Sequence, residues 1–352
     1  MTRKKILMLL GSICLAVMLA LAGCPAPTPT PTTPELPKIT WKFSSSYSAT
    51  DDLHSKVYQP VWDRVFELTN GGLEIINYPG AELHVDPEDA LYLVKEGTPP
   101  IVEFFSSRTE GVVAAHGVIH LPFLLYNADE AEAVLNATFP IISRNLEENW
   151  NSKLLFSSPR SIHIIIWSKE PIPTVEDLRG KKIRVYSGIH ADILTAAGAV
   201  PVTLSMAEVY GALQRAMIDG AITSLSTAAA DHYDEVLGYG NEFPVKIETD
   251  SGGAIVNLDV FNALPQEYQD ALLQAGREIM EQSYGIAKSS EKVIRDDLIR
   301  RGIEFIPISE EEKAKMEKLA TPAWDEIMER GGSLAAEIMA MAQKTLKELR
   351  AG

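Results

Sequence analysis

Cysteine is nearly missing from this chain of 352 residues, which contains only Cys14 and Cys24. A framework of several disulfides, on which small secreted domains depend, is therefore excluded. A chain of this length can bury a hydrophobic core that is large enough without one. The length itself indicates two domains, or one large domain with two lobes.

Sequence motifs of catalysis and nucleotide binding are missing as well. The chain has no G-x-S-x-G, no H-E-x-x-H and no P-loop. Its seven histidines are scattered, and none has the spacing of metal ligands. Because no activated nucleophile or base is visible, we predict a protein that is not an enzyme. We also predict no cofactor and no set of metal ligands, while a metal that bridges the ligand stays open.

Positive charge is scarce, since 32 lysines and arginines face 48 acidic residues and the net charge is -16. An acidic body repels nucleic acid and anionic lipid, so we predict no nucleic-acid partner. An anionic ligand would have to bind against this overall field. Its site would need positive groups of its own, which makes an arginine in a predicted strand informative.

The long apolar run of the chain lies close to its start. It follows a basic segment, covers residues 6–21, and at about 16 residues is short for a membrane span. It ends in LAGC, residues 21–24. A basic start, a short apolar core and small residues describe a secretory signal, and a cysteine after Leu-Ala-Gly resembles a bacterial lipobox. We predict a signal peptide over 1–23 and a lipid on Cys24; a plain signal peptide or an anchoring helix is the alternative.

A segment rich in proline and threonine follows the predicted leader. Residues 25–38 read PAPTPTPTTPELPK. Alternating prolines favour extended polyproline II, and the segment contains nothing with which to build a core. We predict that residues 24–38 tether the folded body to a membrane outside the cytoplasm, either in the periplasm or on the outer face of the cell.

Strands and helices alternate in the rest of the chain. The first set comprises strands at 39–46, 73–79 and 101–107 with helices at 53–69 and 86–95. The second set comprises strands at 162–168, 181–187, 201–205 and 221–226 with helices at 191–197 and 205–218. This alternation predicts an α/β fold with parallel, doubly wound sheets. Two such sets in one chain predict a clam shell of two lobes with a crevice between them.

A helix too long for a single lobe is predicted over residues 266–301. Its apolar residues recur every three or four positions, and about 36 residues would span roughly 54 Å. Gly276 and Gly285 each weaken the helix by roughly 1 kcal/mol, which allows a bend or a break. A capping box formed by Ser309 and Glu312 starts the next helix, and an amphipathic helix ends the chain.

An arginine interrupts the predicted strand KKIRVYSG, residues 181–188. Ile183 and Val185 fall on one face of that strand and Arg184 falls on the other. A strand in a helix-covered parallel sheet should be apolar on both faces. Such strands deliver their carboxyl ends to the crevice where ligands bind, and a guanidinium fits a carboxylate with two hydrogen bonds. We predict that Arg184 binds a carboxylate; a salt bridge at the surface or between lobes is the alternative.

Other polar and aromatic side chains lie in or near the predicted strands. At the ends of strands of the first set these are Ser45, Ser46, Tyr47, Ser106, Ser107 and Arg108. In the second set, Arg160 precedes a predicted strand, His163, Trp167, Thr223 and Ser224 lie in predicted strands, and Gln214 lies in the helix predicted over 205–218. Each has a structural alternative: the tryptophan packs in the core, the histidine satisfies a backbone group, and the glutamine reaches solvent. Glu208 forms S-x-x-E with Ser205, which favours a capping role.

Several segments resemble the extracytoplasmic solute-binding proteins of tripartite ATP-independent periplasmic (TRAP) transporters. The most specific is TVEDLRGKKIRVYSG…GAVPVTLSMAEVYGALQRAMIDG, within 174–220, and HLPFLLYN (120–127), NALPQEYQDALL (262–273) and GGLEIINYPGAEL (71–83) also look like family segments. The resemblance covers most of residues 40–330. It implies a clam shell of two lobes braced by a long helix, a small organic acid as the ligand, and TRAP permease subunits as partners.

The resemblance also implies roles for single residues. The family arginine that usually grips the ligand carboxylate falls on Arg184, an often aromatic position falls on Met206, and a position that is often asparagine falls on Thr223. A second arginine of many members falls on His163, with Arg160 slightly earlier in the chain. This departure leaves the identity of the acid open.

We therefore predict a lipid-anchored solute-binding protein that closes over an organic acid anion and delivers it to a membrane permease. The first lobe is predicted over 39–161 plus 250–289, and the second over 162–249 plus 290–352 with the C-terminal helices. Two other classes stay open. The same cleft would serve a sensory subunit that reports the ligand to a receptor, or a lipoprotein enzyme.

Overall fold

A computed structural model describes residues 36–47, 49, 54–80, 82–159, 161–247, 249 and 252–351. The predicted signal peptide, the predicted lipidation of Cys24 and the predicted ligand contact of Arg160 lie outside these residues. Of the predicted tether, only residues 36–38 are described.

The first strands of the chain belong to two small sheets. β1 (Ile39–Ser44) and β2 (Leu73–Tyr78) pair in parallel. In the other sheet, β3 (Ile101–Phe104) and β4 (Ser152–Ser158) lie on either side of β10 (Gly252–Asn257) and run antiparallel to it. Because β10 comes late in the sequence, the chain returns to this half of the molecule after it has built most of the other half.

Helices connect these strands. A single π turn (His54–Tyr58) runs into α1 (Gln59–Leu68) between β1 and β2. The others are α2 (Ala90–Glu96) before β3, α3 (Ala128–Trp150) before β4 and α7 (Leu258–Asn262) after β10. Short 3-10 turns occur at Pro87–Asp89, Ser106–Arg108 and Ala114–His120.

The larger sheet has six strands in the order β11-β9-β5-β8-β6-β7. They are β5 (His163–Ser168), β6 (Lys182–Val185), β7 (Val200–Thr203), β8 (Gly220–Ser224), β9 (Tyr239–Ile247) and β11 (Glu304–Ile306). Its helices are α4 (Gly188–Ala196) between β6 and β7, α5 (Met206–Gln214) between β7 and β8, and α6 (Leu225–Ala230) after β8.

The predicted α/β class is confirmed, and the predicted parallel pairing holds where a helix connects the strands. β6 runs parallel to β7 and β8, as β1 does to β2. β5 and β10 instead run antiparallel to their neighbours. Each of them is the first strand after the chain has moved from one group of strands to the other, although β11, which follows a similar move, runs parallel to β9. The sequence signal for a strand carries no direction, so this reversal was not predicted.

The larger sheet is buried on both faces. Ile164 and Ile166 of β5 belong to one apolar cluster, and Ile165 and Trp167 belong to another. Alternate residues of a strand point to opposite faces, so each cluster lies on its own side of the sheet. A charged side chain on a strand of such a sheet therefore needs a specific partner.

Two long helices complete the chain, α8 (Gln266–Arg300) and α9 (Glu310–Ala351). α8 continues through both of its glycines. Gly276 lies against β4, where an added Cβ would stand 2.3 Å from the carbonyl oxygen of Leu155. α9 is kinked at Gly332, whose φ is 55° and ψ is -136°. The kink separates the two helices that the sequence predicts there.

α8 contacts both halves of the molecule. Near its start, Glu278 pairs with Arg64 of α1 at 2.8 Å. Near its end, Arg295 pairs with Glu242 of β9 at 2.7 Å. This is the bracing helix that the resemblance implies. Within the described part of the chain, no helix is both long enough and apolar enough to cross a membrane.

Candidate ligand-binding site

A small cavity of about 40 Å³ lies among residues of both halves of the chain. The lining residues from the first half are Tyr47, Phe105, Ser107 and Arg108. Those from the second half are Ile164, Arg184, Tyr186, Met206, Thr223, Ser224 and Thr227. Both halves therefore contribute to one site, as they would in a cleft between lobes.

Arg184 is the buried cation of this cavity. It lies on β6 and is only 4% exposed. Its Nε donates to the carbonyl oxygen of Leu204 at 3.0 Å, and its Nη1 donates to that of Ile222 at 3.4 Å. Among the carboxylates of the described ranges, none forms an ion pair with it. The backbone contacts fix the guanidinium and leave N–H groups for a ligand with two oxygens.

The surroundings of Arg184 favour the binding of an anion. Burial is the main cause that lowers the pKa of Arg184, and the charge of Arg108 also lowers it, while Tyr233, Tyr186 and Asp231 raise it. A buried charge without an ionic partner is costly, because the protein interior solvates it poorly. A bound carboxylate would supply the missing partner.

Aromatic rings and a second arginine complete the charged and apolar lining. Tyr47 and Phe105 meet edge to face with their centroids 6.0 Å apart. The guanidinium of Arg108 lies 4.9 Å from the centroid of Phe105, and that of Arg184 lies 5.4 Å from the centroid of Tyr186. The described lining contains no acidic residue. Nor does the described part of the chain hold any cluster of histidine, cysteine and acidic residues suited to a metal ion.

Hydroxyl groups line the side of the cavity formed by β8 and α6. The Oγ of Ser224 caps α6, accepting from the Thr227 N–H at 3.1 Å, and lies 3.0 Å from the Thr227 hydroxyl. Thr223 precedes them on β8, and its carbonyl oxygen accepts from Nε1 of Trp167 at 3.0 Å. The indole therefore supports the strand behind the site and is not part of the lining.

The structure brings together Tyr47, Ser107, Arg108, Arg184, Met206, Thr223 and Ser224 from the candidates of the sequence. It leaves others away from the cavity. Trp167 is fully buried in the core, and Gln214 is exposed at the end of α5. His163 binds Oε1 of Glu291 through Nδ1 at 2.6 Å, so its ring contacts α8 and not the site.

Two further candidates lie directly behind the lining. The Ser46 N–H donates to Oε2 of Glu103 at 2.8 Å. The Oγ of Ser106 lies 2.6 Å from Nε2 of His120. Each serine precedes a lining residue in the sequence, so both support the wall of the cavity.

Sequence reasoning missed the lining residues Phe105, Ile164, Tyr186 and Thr227. One of them had a usable signal. Tyr186 follows Arg184 by two positions, and residues at that spacing share a face of a strand. Phe105 and Ile164 read as ordinary core residues, and Thr227 lies inside a helix.

An α/β molecule with a cavity shared by its two halves and a buried arginine in that cavity has the features of a solute-binding protein. The family model for DctP, the bacterial extracellular solute-binding protein family 7, matches residues 43–331. The chain belongs to this family.

A relative agrees with this assignment, and solved structures agree with the fold. The C4-dicarboxylate-binding periplasmic protein DctP of Rhodobacter capsulatus is 28% identical over 324 residues, which are 89% of this chain and 94% of that protein. DctP7, a Bordetella pertussis extracytoplasmic solute receptor binding pyroglutamic acid, matches with a TM-score of 0.81 at 23% identity, over 87% of this chain and 99% of that one.

A TRAP periplasmic solute binding protein from Desulfovibrio salexigens with bound orotic acid matches with a TM-score of 0.80 at 21% identity, over 88% of this chain and 99% of that one. The resemblance to TRAP solute-binding proteins and the two-lobed α/β fold that it implies are confirmed. The lobe boundaries that we give from the sequence stay a prediction.

Proposed function

We propose that this protein captures a small organic acid anion outside the cytoplasm, leaves it chemically unchanged, and delivers it to a TRAP-type permease. The observation that carries the proposal is Arg184, a buried guanidinium that lines the cavity without a carboxylate partner in the described part of the chain. A carboxylate is the ligand group whose two oxygens fit the planar N–H donors of a guanidinium.

The named ligands of similar proteins support the same chemistry. They include C4-dicarboxylates, a monocarboxylate 2-oxoacid, pyroglutamic acid and orotic acid. These compounds differ in size and ring content but share a carboxyl group. In this chain Arg184 would bind that shared group, while Arg108, the aromatic rings and the hydroxyls of the lining would select the rest of the molecule.

A panel of acids tests the binding proposal. Succinate, 2-oxobutyrate, L-pyroglutamate and orotate are each compared with the corresponding amide in thermal unfolding. An acid at 100 times its Kd should add roughly 2.7 kcal/mol to the free energy of unfolding. Arg184→Ala should abolish this gain. The control is Arg300→Ala, because that side chain is 73% exposed in a surface ion pair.

Equal stabilisation by an acid and its amide, or an unchanged response of Arg184→Ala, would contradict the role of Arg184. Mass spectrometry of the acid recovered after incubation separates a binding protein from an enzyme. Uptake of the acid into vesicles that contain the permease separates delivery from sensing.

We also propose that Cys24 carries a lipid that anchors the protein to a membrane. The support is the LAGC sequence after a short apolar run. Mass spectrometry of the native protein should find a lipidated N-terminal peptide that begins at Cys24. An unmodified peptide that spans Gly23 and Cys24 in most molecules would refute the anchor.

A further inference from the structure

A buried carboxyl group lies beside the cavity without lining it. Glu103 is on β3, a strand whose side chains are all buried, and is only 1% exposed. Its Oε1 accepts from the Tyr58 hydroxyl at 2.7 Å, and its Oε2 accepts from the Ser46 N–H at 2.8 Å. Because burial of a carboxylate is costly, its presence on this strand calls for a specific role.

The contact with Ser46 lies in a turn that carries one wall of the cavity. The N–H of Ser45 donates to the Tyr78 carbonyl oxygen at 2.9 Å, and the N–H of Gly80 donates to the Tyr47 carbonyl oxygen at 2.7 Å. These two bonds tie the turn to the end of β2. The Ser46 amide between them is bonded to Glu103, and the next residue, Tyr47, lines the cavity.

We propose that the Glu103 carboxylate is a positioning residue, which fixes the turn at residues 45–47 and so holds the Tyr47 wall of the cavity without touching the ligand. What the cavity holds rests on the proposed function. The position of the turn, by contrast, is a property of the chain without ligand. A hydrogen bond to an ionised acceptor is about twice as strong as one to a neutral acceptor, so ionised Glu103 holds the turn more firmly.

Burial raises the pKa of Glu103 to about 7, and hydrogen bonds from Tyr58 and Ser46 and the charge of Arg108 oppose this rise. In the described residues, the titratable groups that act on Glu103 are Tyr58 from the π turn and Arg108 from the turn after β3. The carboxyl group therefore changes charge near neutral pH. In the neutral form one oxygen still accepts from Ser46, while the O–H donates to the Tyr58 oxygen. The arrangement persists, but the bond to the turn is weaker.

Hydrogen exchange of the Ser46 amide in the ligand-free full chain tests this directly. For exchange through a local opening of the turn that leaves Glu103 buried, we expect protection, corrected for intrinsic exchange rates, to fall roughly tenfold between about pH 8 and about pH 5.5. Glu103→Gln mimics the neutral carboxyl group, so its protection should be low at both pH values. Tyr58→Phe removes a bond that favours the ionised form, so its midpoint should move to higher pH. Glu74→Gln, at an exposed position of β2, is the matched control and should keep the wild-type profile.

Constant protection of Ser46 across this range, or a Glu103→Gln variant with the wild-type profile, overturns the proposal. An unmoved midpoint in Tyr58→Phe also overturns it, and that variant keeps the test decisive where Glu103→Gln fails to fold. No ligand enters the exchange measurement, so failure of the proposed function leaves the result interpretable. If L-pyroglutamate or succinate binds, its affinity should fall as the pH is lowered, with the same midpoint as the protection of Ser46. The reason is that neutral Glu103 holds the Tyr47 wall less firmly.

Discussion

At the scale of single residues, the proposed ligand contact rests on an arginine that the backbone already holds in place. Carbonyl oxygens of Leu204 and Ile222 accept from Arg184, so the orientation of its guanidinium is set before a ligand arrives. Such pre-organisation reduces the entropy lost on binding. It also makes the shape of the guanidinium matter as much as its charge.

Arg184→Lys should therefore weaken binding although it keeps the positive charge. A lysine cannot hold two backbone contacts and a two-oxygen ligand at once, and we expect a loss of about 1.5–3 kcal/mol. Calorimetric titration with the best acid of the panel measures it, with Arg300→Lys as the control for a surface arginine. Wild-type affinity in Arg184→Lys would show that charge alone accounts for the contact.

Glu103 makes a prediction about stability that has a definite sign. Its pKa is raised from 4.5 to about 7 in the folded state. Between these values the unfolded chain releases a proton that the folded chain keeps, so the free energy of unfolding falls as pH rises. Glu103→Gln has no ionisable group at this position, so its free energy of unfolding does not fall with pH for this reason. It should therefore be more stable than wild type at about pH 8, by up to about 3 kcal/mol.

Urea unfolding of both proteins at about pH 5 and about pH 8 measures the effect. The gain from Glu103→Gln should shrink at the lower pH, where the folded wild-type protein is largely protonated. A gain that does not depend on pH would show that packing, and not ionisation, is responsible. A gain at high pH would mean that the carboxylate is kept at a cost to stability, as expected of a residue that serves the binding site.

At the scale of elements, α8 has two glycines in contrasting places. A Cβ at Gly276 would stand 2.3 Å from the Leu155 carbonyl oxygen, whereas a Cβ at Gly285 has nothing within 4 Å. Gly276→Ala should destabilise the protein by about 1–3 kcal/mol through overpacking. Gly285→Ala should stabilise it by roughly 0.5–1 kcal/mol, because alanine favours a helix.

Chemical unfolding of these two variants compares the same substitution in the same helix. Since helix propensity is common to both, the difference between them isolates the contact with β4. Equal effects would mean that α8 does not pack against β4 as closely as the structure shows.

Local patterns predicted helix ends correctly where no distant residue competes. Oε2 of Glu208 accepts from the backbone and side chain of Ser205, which completes the predicted capping box. The box predicted at Ser309 forms only in half, because Oε2 of Glu312 accepts from the Val175 N–H at 2.7 Å. A sequence pattern cannot show which distant amide will be near. For the same reason the sequence predicts the long helix but not the close packing of Gly276 against the Leu155 carbonyl oxygen.

At the scale of the whole molecule, the sequence predicted the class of fold and the central arginine, but only part of the cavity. Polar residues at strand ends stand out from an apolar background, as Arg184 and Thr223 do. Phe105 and Ile164 do not stand out, since the sequence pattern of an apolar side chain is the same whether it lies in a core or in a ligand cavity. Trp167 shows the converse, because it is large and near the site yet faces the core.

Closure is the prediction that belongs to the whole molecule. The cavity takes residues from both halves, so a ligand that contacts both favours the state in which they are close together. Small-angle scattering should show a smaller radius of gyration when a binding acid of the panel is added. Arg184→Ala should keep the radius of the ligand-free wild-type protein at the same acid concentration, because it lacks the proposed contact between the second half and the acid. Arg300→Ala should contract as wild type does. A radius that is unchanged by a tightly bound acid would mean that the halves are already closed without ligand, and that binding selects no new arrangement of them.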